Sequence, residues 1–548
     1  MSLTDALILL PFAGALVVWL VPLPREASAG LAFLVALGEV ALWIVTLGRF
    51  DFGTGVLQFQ TQFEWFEDLG VSYDVGLYGF SLWLVGLATV VSAAALGYAL
   101  VAGRDRARAY GGLMLFLTGA VVGVFTAQDL LLFYVFFEAM MIPTYVLIGV
   151  WGGPGRLKAT VTFVIYTMAG SLLMLASIVA YGISQGTFSL SEGGVSSNEW
   201  VFLGFAIAFA IKSPLFPFHG WLLTTYRESP PELAAVLSGI VSKAAVYGFL
   251  RIAIAKFPGP ADDFKVTILV LAAIGLVYGS LLAFRAPDLR GVLAYSSMAQ
   301  MSLITFGLFA FNDLGLDGAI LQAVNHGLIT TAMFLLAAMV ERRASTGEFS
   351  LLGGMARGRP ALATLLMTTG IIALAVPGSS AFAGEFAILA GVFEQGWGYA
   401  AVGAGAIVLA AMYVLRLISA VLHRQRGSAV SDAALDLRPA ELSIVVPLVA
   451  LLLGLSIWPA SVSARSFPGN SSAVLTGVTQ SDEGTTIFAS VRVPYEGLET
   501  AHVSPTGALD DAPQSCKDDL DRKLRAAAAI EQDGSFVTGI TVCKTEGS

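Results

Sequence analysis

Residues 130–150, LLLFYVFFEAMMIPTYVLIGV, contain one charged side chain, Glu138, in an otherwise apolar run. A helix of about 20 apolar residues crosses the hydrocarbon core of a bilayer, so this stretch predicts a membrane-spanning helix. Hydrophobic residues make up 56% of the 548 residues, charged residues 13%, and the mean hydropathy is +0.78. Such a composition is typical of a polytopic membrane protein.

About fourteen runs of this kind occur, and they predict an all-α polytopic membrane protein with about fourteen transmembrane helices. The first run lacks a positively charged leader, so we interpret it as a retained span. The runs lie near residues 3–22, 28–48, 78–101, 109–127, 130–150, 160–184, 200–226, 232–255, 266–284, 290–311, 318–340, 361–395, 399–422 and 441–463.

Three further charged side chains lie inside predicted spans. They are Lys212 in FAIAFAIKSPLFP, Lys243 in VLSGIVSKAAVYGF and Glu385 in AFAGEFAILAG. A charge at the bilayer centre costs about 3 kcal/mol on insertion scales, so residues of this kind usually have a function. Two acids and two amines at membrane depth, Glu138 included, indicate a path for protons or cations.

Loop charge predicts the orientation. Counting the loop after the first span as loop one, the odd loops carry about sixteen Lys and Arg residues and the even loops about three, Arg49, Lys256 and Lys265. Because positive loops stay in the cytoplasm, we predict a multi-pass protein of the bacterial cell membrane with both termini outside the cytoplasm.

Cysteine and histidine are scarce. The two cysteines, Cys516 and Cys543, lie near the end of the chain, and the four histidines form no pair suited to haem. No glycine-rich phosphate loop is present. We therefore expect no cofactor, no metal and no nucleic-acid partner for this chain.

Two predicted spans contain helix breakers. Span seven has Pro214 and Pro217, and span twelve has Pro377 followed by Gly378. Broken spans at matching positions are typical of inverted repeats, and these two lie five spans apart. Spans 4–8 and 9–13 are thus predicted repeats, although prolines are also common in membrane helices and the match can be chance.

This arrangement divides the chain into five predicted parts: residues 1–108 with spans 1–3, 109–256 and 257–424 with the two repeats, 425–464 with span 14, and 465–548 as a soluble, acidic, extracytoplasmic tail. In the tail TTIFASVRV and SFVTGITV alternate like strands, and DDLDRKLRAAAAIEQDG predicts a helix. Cys516 and Cys543 can form a disulfide there or remain free thiols.

Long ordered strings resemble the antiporter-like membrane subunits of respiratory complex I, from about Asp129 to Arg424. They include LLLFYVFFEAMMIPTYVLIGVWGG, KSPLFPFHGWL, SGIVSKAAVYGFLRI, DLRGVLAYSSMAQMS and NHGLITTAMFLLAAMVERR. Glu385, within Gly-Glu-Phe, is similar to the M type, whereas related subunits usually have lysine there. The resemblance implies proton translocation beside L- and N-type subunits, with NADH, FMN, iron–sulfur clusters and quinone bound by partner subunits.

The resemblance also implies roles for five residues. Glu138 would modulate the charge of Lys212, which would switch between holding and releasing a proton. Lys243 would be the next carrier, His326 a relay with a pKa near neutrality, and Glu385 the exit acceptor. Burial favours the neutral form of a lysine or a glutamate, and an opposite charge nearby favours the charged form. A group that alternates between the two surroundings can therefore take up and release a proton.

Two positions depart from the family pattern. Gln300 stands where histidine is common, so this link would operate through water, and residues 223–226, LTTY, replace a Pro-Asp-Ala-His string. We interpret His219 as structural or as a residue at a channel mouth.

Other interpretations stay open. Glu138 and Lys212 can be a static ion pair, Lys243 can cap carbonyls, and His326 can be a satisfied hydrogen-bond partner. At the level of function, the alternatives are a subunit of a Mrp-type cation/proton antiporter or of a membrane-bound hydrogenase, and a scaffold that conducts nothing.

Overall fold

The computed structural model describes residues 2–66, 70–431, 433–467, 474–481 and 484–490. Within them, twelve helices are long and apolar enough to cross a membrane, by length and composition. These twelve are all the numbered helices below except α7, α8, α13 and α14. In chain order the elements are α1 (Leu3–Leu20), α2 (Arg25–Arg49), β1 (Gln58–Phe66), β2 (Val71–Leu77), α3 (Gly79–Ala102), α4 (Ala107–Thr126), α5 (Leu130–Trp151), α6 (Arg156–Gln185), α7 (Glu199–Lys212), α8 (Leu222–Glu228), α9 (Pro231–Ile254), α10 (Lys265–Arg285), α11 (Leu289–Leu308), α12 (Asp313–Ala344), α13 (Pro360–Ala373), α14 (Ser380–Gln395), α15 (Trp397–His423) and α16 (Pro439–Ile457).

The predicted seventh and twelfth runs are both interrupted in the structure. The first break separates α7 from α8 and contains Pro214 and Pro217, and the second separates α13 from α14 and contains Pro377. Proline has no backbone N–H and clashes with the preceding turn, which ends each helix near these positions. The four pieces are therefore shorter than a membrane-length helix.

The helices differ in how far the rest of the chain encloses them. The apolar part of α12 is buried along its whole length, and α9 and α11 are nearly so. By contrast, most residues of α2, α6, α10 and α16 are not buried, as expected of helices that face lipid. Of the twelve membrane-length helices, α11 is the least apolar. The less hydrophobic helix is thus placed inside the bundle.

Helices α12 and α14 approach each other closely through glycines. A Cβ atom on Gly384 would lie 2.7 Å from the side-chain oxygen of Gln322, and one on Gly318 would lie 2.8 Å from the backbone nitrogen of Ile388. Small residues let helix backbones approach one another in membranes. This contact brings the polar side chains of both helices into one layer.

Helix α9 is locally widened on both sides of Lys243. Residues Leu237–Val241 and Phe249–Ile254 have the π-helical hydrogen-bond pattern. Such segments are rare and are frequent at functional sites. The wider turns leave backbone carbonyls of α9 available to side chains.

A β-hairpin covers one end of the bundle, and the all-α prediction did not include it. Strands β1 and β2 pair antiparallel, and Val75 of β2 bridges to Ala127 at the end of α4. In β1 polar residues alternate with Phe59, Phe63 and Trp65, which is the two-residue period of a strand. A search for long apolar runs does not detect that period.

In the tail, Val474–Ser481 and Gly484–Ser490 form an antiparallel pair of strands. The second of these contains most of the predicted strand TTIFASVRV. The predicted strand SFVTGITV, the predicted helix and the pair Cys516–Cys543 lie outside the described residues. The division into five parts stays a prediction.

Candidate functional site

Lys243 and His326 are in direct contact at the centre of the bundle. The Lys243 Nζ atom lies 2.7 Å from His326 Nδ1, and it also donates to the Ser238 carbonyl oxygen at 2.7 Å. Lys243 is fully buried, and His326 is 2% exposed. Helix α9 supplies the lysine through its widened turn, and α12 supplies the histidine. The contact joins residues that are 83 positions apart in sequence.

The short distance restricts the protonation states of the pair. An ammonium can only donate, so a charged Lys243 requires a lone pair on His326 Nδ1 and a proton on Nε2. In the converse state, a neutral amine accepts from an Nδ1–H. The two residues can therefore share one proton and pass it between their nitrogens.

A cavity of about 30 Å³ next to the pair is lined by both His326 and Glu385. This volume holds about two water molecules when polar groups are available. His326 Nε2 and Glu385 Oε2 are both buried, and neither has a hydrogen-bond partner among the described residues. A water molecule in the cavity can be the hydrogen-bond partner of both atoms, because the histidine can donate to it and the carboxylate can accept from it.

Glu385 is held by two glutamine side chains. Gln300 of α11 donates to Glu385 Oε1 at 2.9 Å, and Gln322 of α12 donates to Gln300 Oε1 at 2.8 Å and to Glu385 Oε1 at 3.3 Å. All three side chains are buried. Gln300 thus binds the carboxylate directly, whereas the sequence analysis expected a link through water.

The second helix break adjoins the same group. Asn325 of α12, the neighbour of His326, donates to the Ser380 carbonyl oxygen at 2.8 Å. Sequence reasoning missed Asn325 and Gln322. Their signal was present, because residues 322, 325 and 326 are three polar residues at helical spacing in an apolar run.

Lys212 lies at the other break, as the last residue of α7. Its side chain is buried, and Nζ lies 4.7 Å from the centre of the Phe137 ring. The C-terminus of a helix favours a cation, and so does an aromatic face. Trp221 stabilises this break by donating to the Ile211 carbonyl oxygen at 3.0 Å.

Glu138 of α5 is half-buried and acts electrostatically on Lys212. No direct ion pair joins the two charges in the part of the chain that the structure describes. Nor does a hydrogen bond between described residues connect Lys212 with Lys243. The five predicted residues therefore form two groups: Glu138 with Lys212, and Lys243 with His326 and Glu385.

His219 is separate from both groups. It lies in the connection between α7 and α8, half-buried, with its ring 5.9 Å from that of Phe216 and 5.5 Å from that of Tyr278. Its Nδ1 atom is buried without a partner among the described residues.

Comparisons with known proteins agree on one family. The family model described as NADH:quinone oxidoreductase/Mrp antiporter, TM, matches residues 127–411, a range that includes all five residues predicted to act in proton transfer. NADH-quinone oxidoreductase subunit M of Rickettsia prowazekii is 32% identical over 448 residues, which cover 80% of this chain and 91% of that protein.

Solved structures have the same fold. A chain of respiratory complex I from Thermus thermophilus, solved with bound NADH, matches with a TM-score of 0.78 and 31% identity. The match covers 85% of this chain and 97% of that one. A chain of the Mrp complex from a Dietzia species matches with a TM-score of 0.77 over 85% and 96%, at 21% identity. At that identity, the second likeness concerns the fold alone.

Proposed function

Since the chain belongs to the NADH:quinone oxidoreductase/Mrp antiporter family of membrane proteins, we propose that it is a proton-translocating membrane-arm subunit of NADH-quinone oxidoreductase. Its own residues move protons, while electron transfer takes place in other subunits. NADH, FMN, iron–sulfur clusters and quinone belong to those partners. The neighbours are L- and N-type antiporter-like subunits.

The observation that carries the proposal is the direct contact of Lys243 with His326 beside a cavity that Glu385 also lines. A proton that arrives at Lys243 passes to His326 Nδ1, and His326 releases its Nε2 proton to water in the cavity. The water protonates Glu385, whose carboxylate the two glutamines otherwise stabilise. Each step moves one proton between groups that are in contact or separated by water.

The Glu138–Lys212 group supplies protons to this pathway. Since Lys212 has no direct ion pair among the described residues, its buried ammonium is held by the ring of Phe137 and by the end of α7. An approach of the Glu138 carboxylate stabilises the charged amine, and a retreat favours release of its proton. The break after Lys212 leaves backbone groups outside the helical hydrogen-bond pattern next to the amine.

The proposal also includes the number of membrane spans and their orientation. The two broken helices, α7–α8 and α13–α14, complete fourteen spans, ten of which form the two inverted repeats of spans 4–8 and 9–13. Loop charge places both termini outside the cytoplasm, in the bacterial cell membrane. The direction of proton movement, from the cytoplasmic side outward, follows from the resemblance to the membrane subunits of complex I.

Lys212→Met tests the proposal in the intact complex, purified and reconstituted into liposomes. Methionine keeps the unbranched shape and most of the length of the side chain and removes the charge. We expect proton transfer through this subunit to slow at least tenfold, as is usual when a proton-transferring group is lost, and the rate of proton pumping by the complex to fall accordingly. A pH-sensitive dye inside the liposomes measures pumping, and NADH oxidation measures electron transfer.

Lys158→Met is the matched control, because Lys158 is exposed at the start of α6. It should leave both measurements unchanged. Wild-type pumping in Lys212→Met, with normal assembly, contradicts the proposal and favours a scaffold that conducts nothing.

A subunit of a Mrp-type cation/proton antiporter is the second candidate, favoured by the shared fold. Replacing sodium by choline in the same assay separates the two. Pumping that persists without sodium supports proton translocation, and pumping that requires sodium supports the antiporter.

A further inference from the structure

Glu39 is a buried acid outside the proposed pathway. It lies in α2, and only 1% of its surface is exposed. Both carboxylate oxygens are buried, and neither has a hydrogen-bond partner among the described residues. The helix is otherwise peripheral, with Leu34, Leu37 and Ile44 exposed. An acid turned away from lipid and left unpaired is costly, and such residues are usually functional.

Two packing contacts show which residues of α3 lie at the same height along the bundle as Glu39. Trp43 packs on Gly86, and Phe33 packs on Gly97. The two helices are therefore antiparallel, and both rise by about 1.5 Å per residue. Interpolation between the contacts places Glu39 opposite about residue 90 of α3.

A third contact sets its level against α4. Ala32 packs on Gly111, and α4 runs parallel to α2. Seven residues further along, Glu39 is level with about residue 118. There Thr118 donates to Ser92 Oγ of α3 at 2.9 Å, and both hydroxyls are buried. The carboxyl group and this hydroxyl pair share the layer with Thr89 of α3, which is also buried and donates to the Gly86 carbonyl oxygen at 3.0 Å.

The chemistry of the layer favours a bound proton. A neutral carboxylic acid has one O–H donor and a carbonyl acceptor, and hydroxyl groups can accept the first and donate to the second. The charged groups on the helices packed against α2 are Asp5 of α1 and Arg108 of α4, both near helix ends. At the depth of Glu39 these helices provide no cation to pair with a carboxylate.

This layer lies at the depth of the proposed proton pathway. Leu87, about one turn from the level of Glu39, packs on Gly327, the residue after His326. Helix α3 therefore has Glu39 on one side and the Lys243–His326 pair on the other.

We propose that Glu39, together with the hydroxyls of Thr118 and Ser92, is a second proton-binding site of this subunit. The carboxylate takes up one proton to form the neutral acid and releases the same proton during turnover. This inference rests on the proposed function and deepens it.

Glu39→Gln in the reconstituted complex tests the site, because glutamine has the shape and neutrality of the acid but cannot ionise. We expect protons moved per electron to fall at least twofold, with normal assembly. Glu39→Asp, which keeps the acid, should recover at least half of the loss. A purely structural role would be served better by glutamine than by aspartate. Glu26→Gln, at the exposed start of α2, is the matched control.

An infrared spectrum gives a second readout. The wild-type spectrum should contain a C=O absorption of a protonated carboxyl group that is missing from the spectrum of Glu39→Gln, so the difference between the two spectra isolates Glu39. Wild-type pumping in Glu39→Gln overturns the inference, and so does an unchanged infrared band. If Lys212→Met abolishes pumping and Glu39→Gln does not, only this site fails. If neither variant changes pumping, the proposed function fails as well.

Discussion

Replacing Lys243 by arginine separates proton transfer from structural support. Arginine keeps the positive charge and several donors, so it can still bind the Ser238 carbonyl oxygen and His326 Nδ1, which lie 2.7 Å from Nζ in the native chain. The guanidinium does not release its proton in proteins. We expect Lys243→Arg to assemble and to lose proton pumping by about a factor of ten or more.

Lys243→Met provides the complementary case. It removes charge-assisted hydrogen bonds worth about 1.5–3 kcal/mol each, and it also removes the cost of burying an ammonium group. Replacing buried ionic groups by apolar ones of similar volume is often close to neutral. We therefore expect assembly within about 2 kcal/mol of the wild type and the same loss of pumping. Both variants are measured by dye-detected proton uptake and NADH oxidation in liposomes. Wild-type pumping with arginine at position 243 would refute proton release by this residue.

Three further outcomes are expected. Glu385→Gln retains an acceptor for the hydrogen bond from α11 but no acid, so assembly should be normal and dye-detected pumping about tenfold lower. Glu232→Gln removes the bidentate ion pair with Arg104, which is one quarter exposed. The free energy of unfolding should fall by about 2–3 kcal/mol, measured as a lower melting temperature of the solubilised complex. Burial raises the pKa of Asp74, partly offset by the Gln60 hydrogen bond, so its contribution to stability is present at low pH and lost as pH rises through the raised pKa. Hydrogen exchange of the β1–β2 hairpin should accordingly be slower at about pH 4, near the pKa of an unfolded aspartate, than at about pH 8 after correction for intrinsic rates, and Asp74→Asn should abolish the difference.

The sequence predicted the helices well because hydropathy needs no knowledge of neighbours. Both helix breaks were also predictable, since Pro217 and Pro377 act on their own turns. The hairpin was missed because Phe59 and Trp65 alternate with polar residues in a segment too short and too polar for a hydropathy search.

The candidate site was predictable in its residues but not in its contacts. Lys243 and His326 were both predicted, yet their pairing depends on how α9 packs against α12, which no local pattern encodes. Gln322 was overlooked as a neutral polar residue. Glu39 had the same signal as Glu138, an acid in an apolar run, and the sequence analysis passed over it.

The position of α11 has a consequence for biogenesis. A segment enters the bilayer from the translocon according to its hydrophobicity, and this one is the least apolar of the membrane-length helices while being almost wholly enclosed. It is therefore poorly suited to remain alone in lipid after release from the ribosome. Its insertion depends on α10, made just before it, and on α12, made just after, which pack against it on both sides. The three helices should accordingly enter the membrane as a cooperative unit, and a nascent chain that ends at Leu308 should leave α11 outside the bilayer.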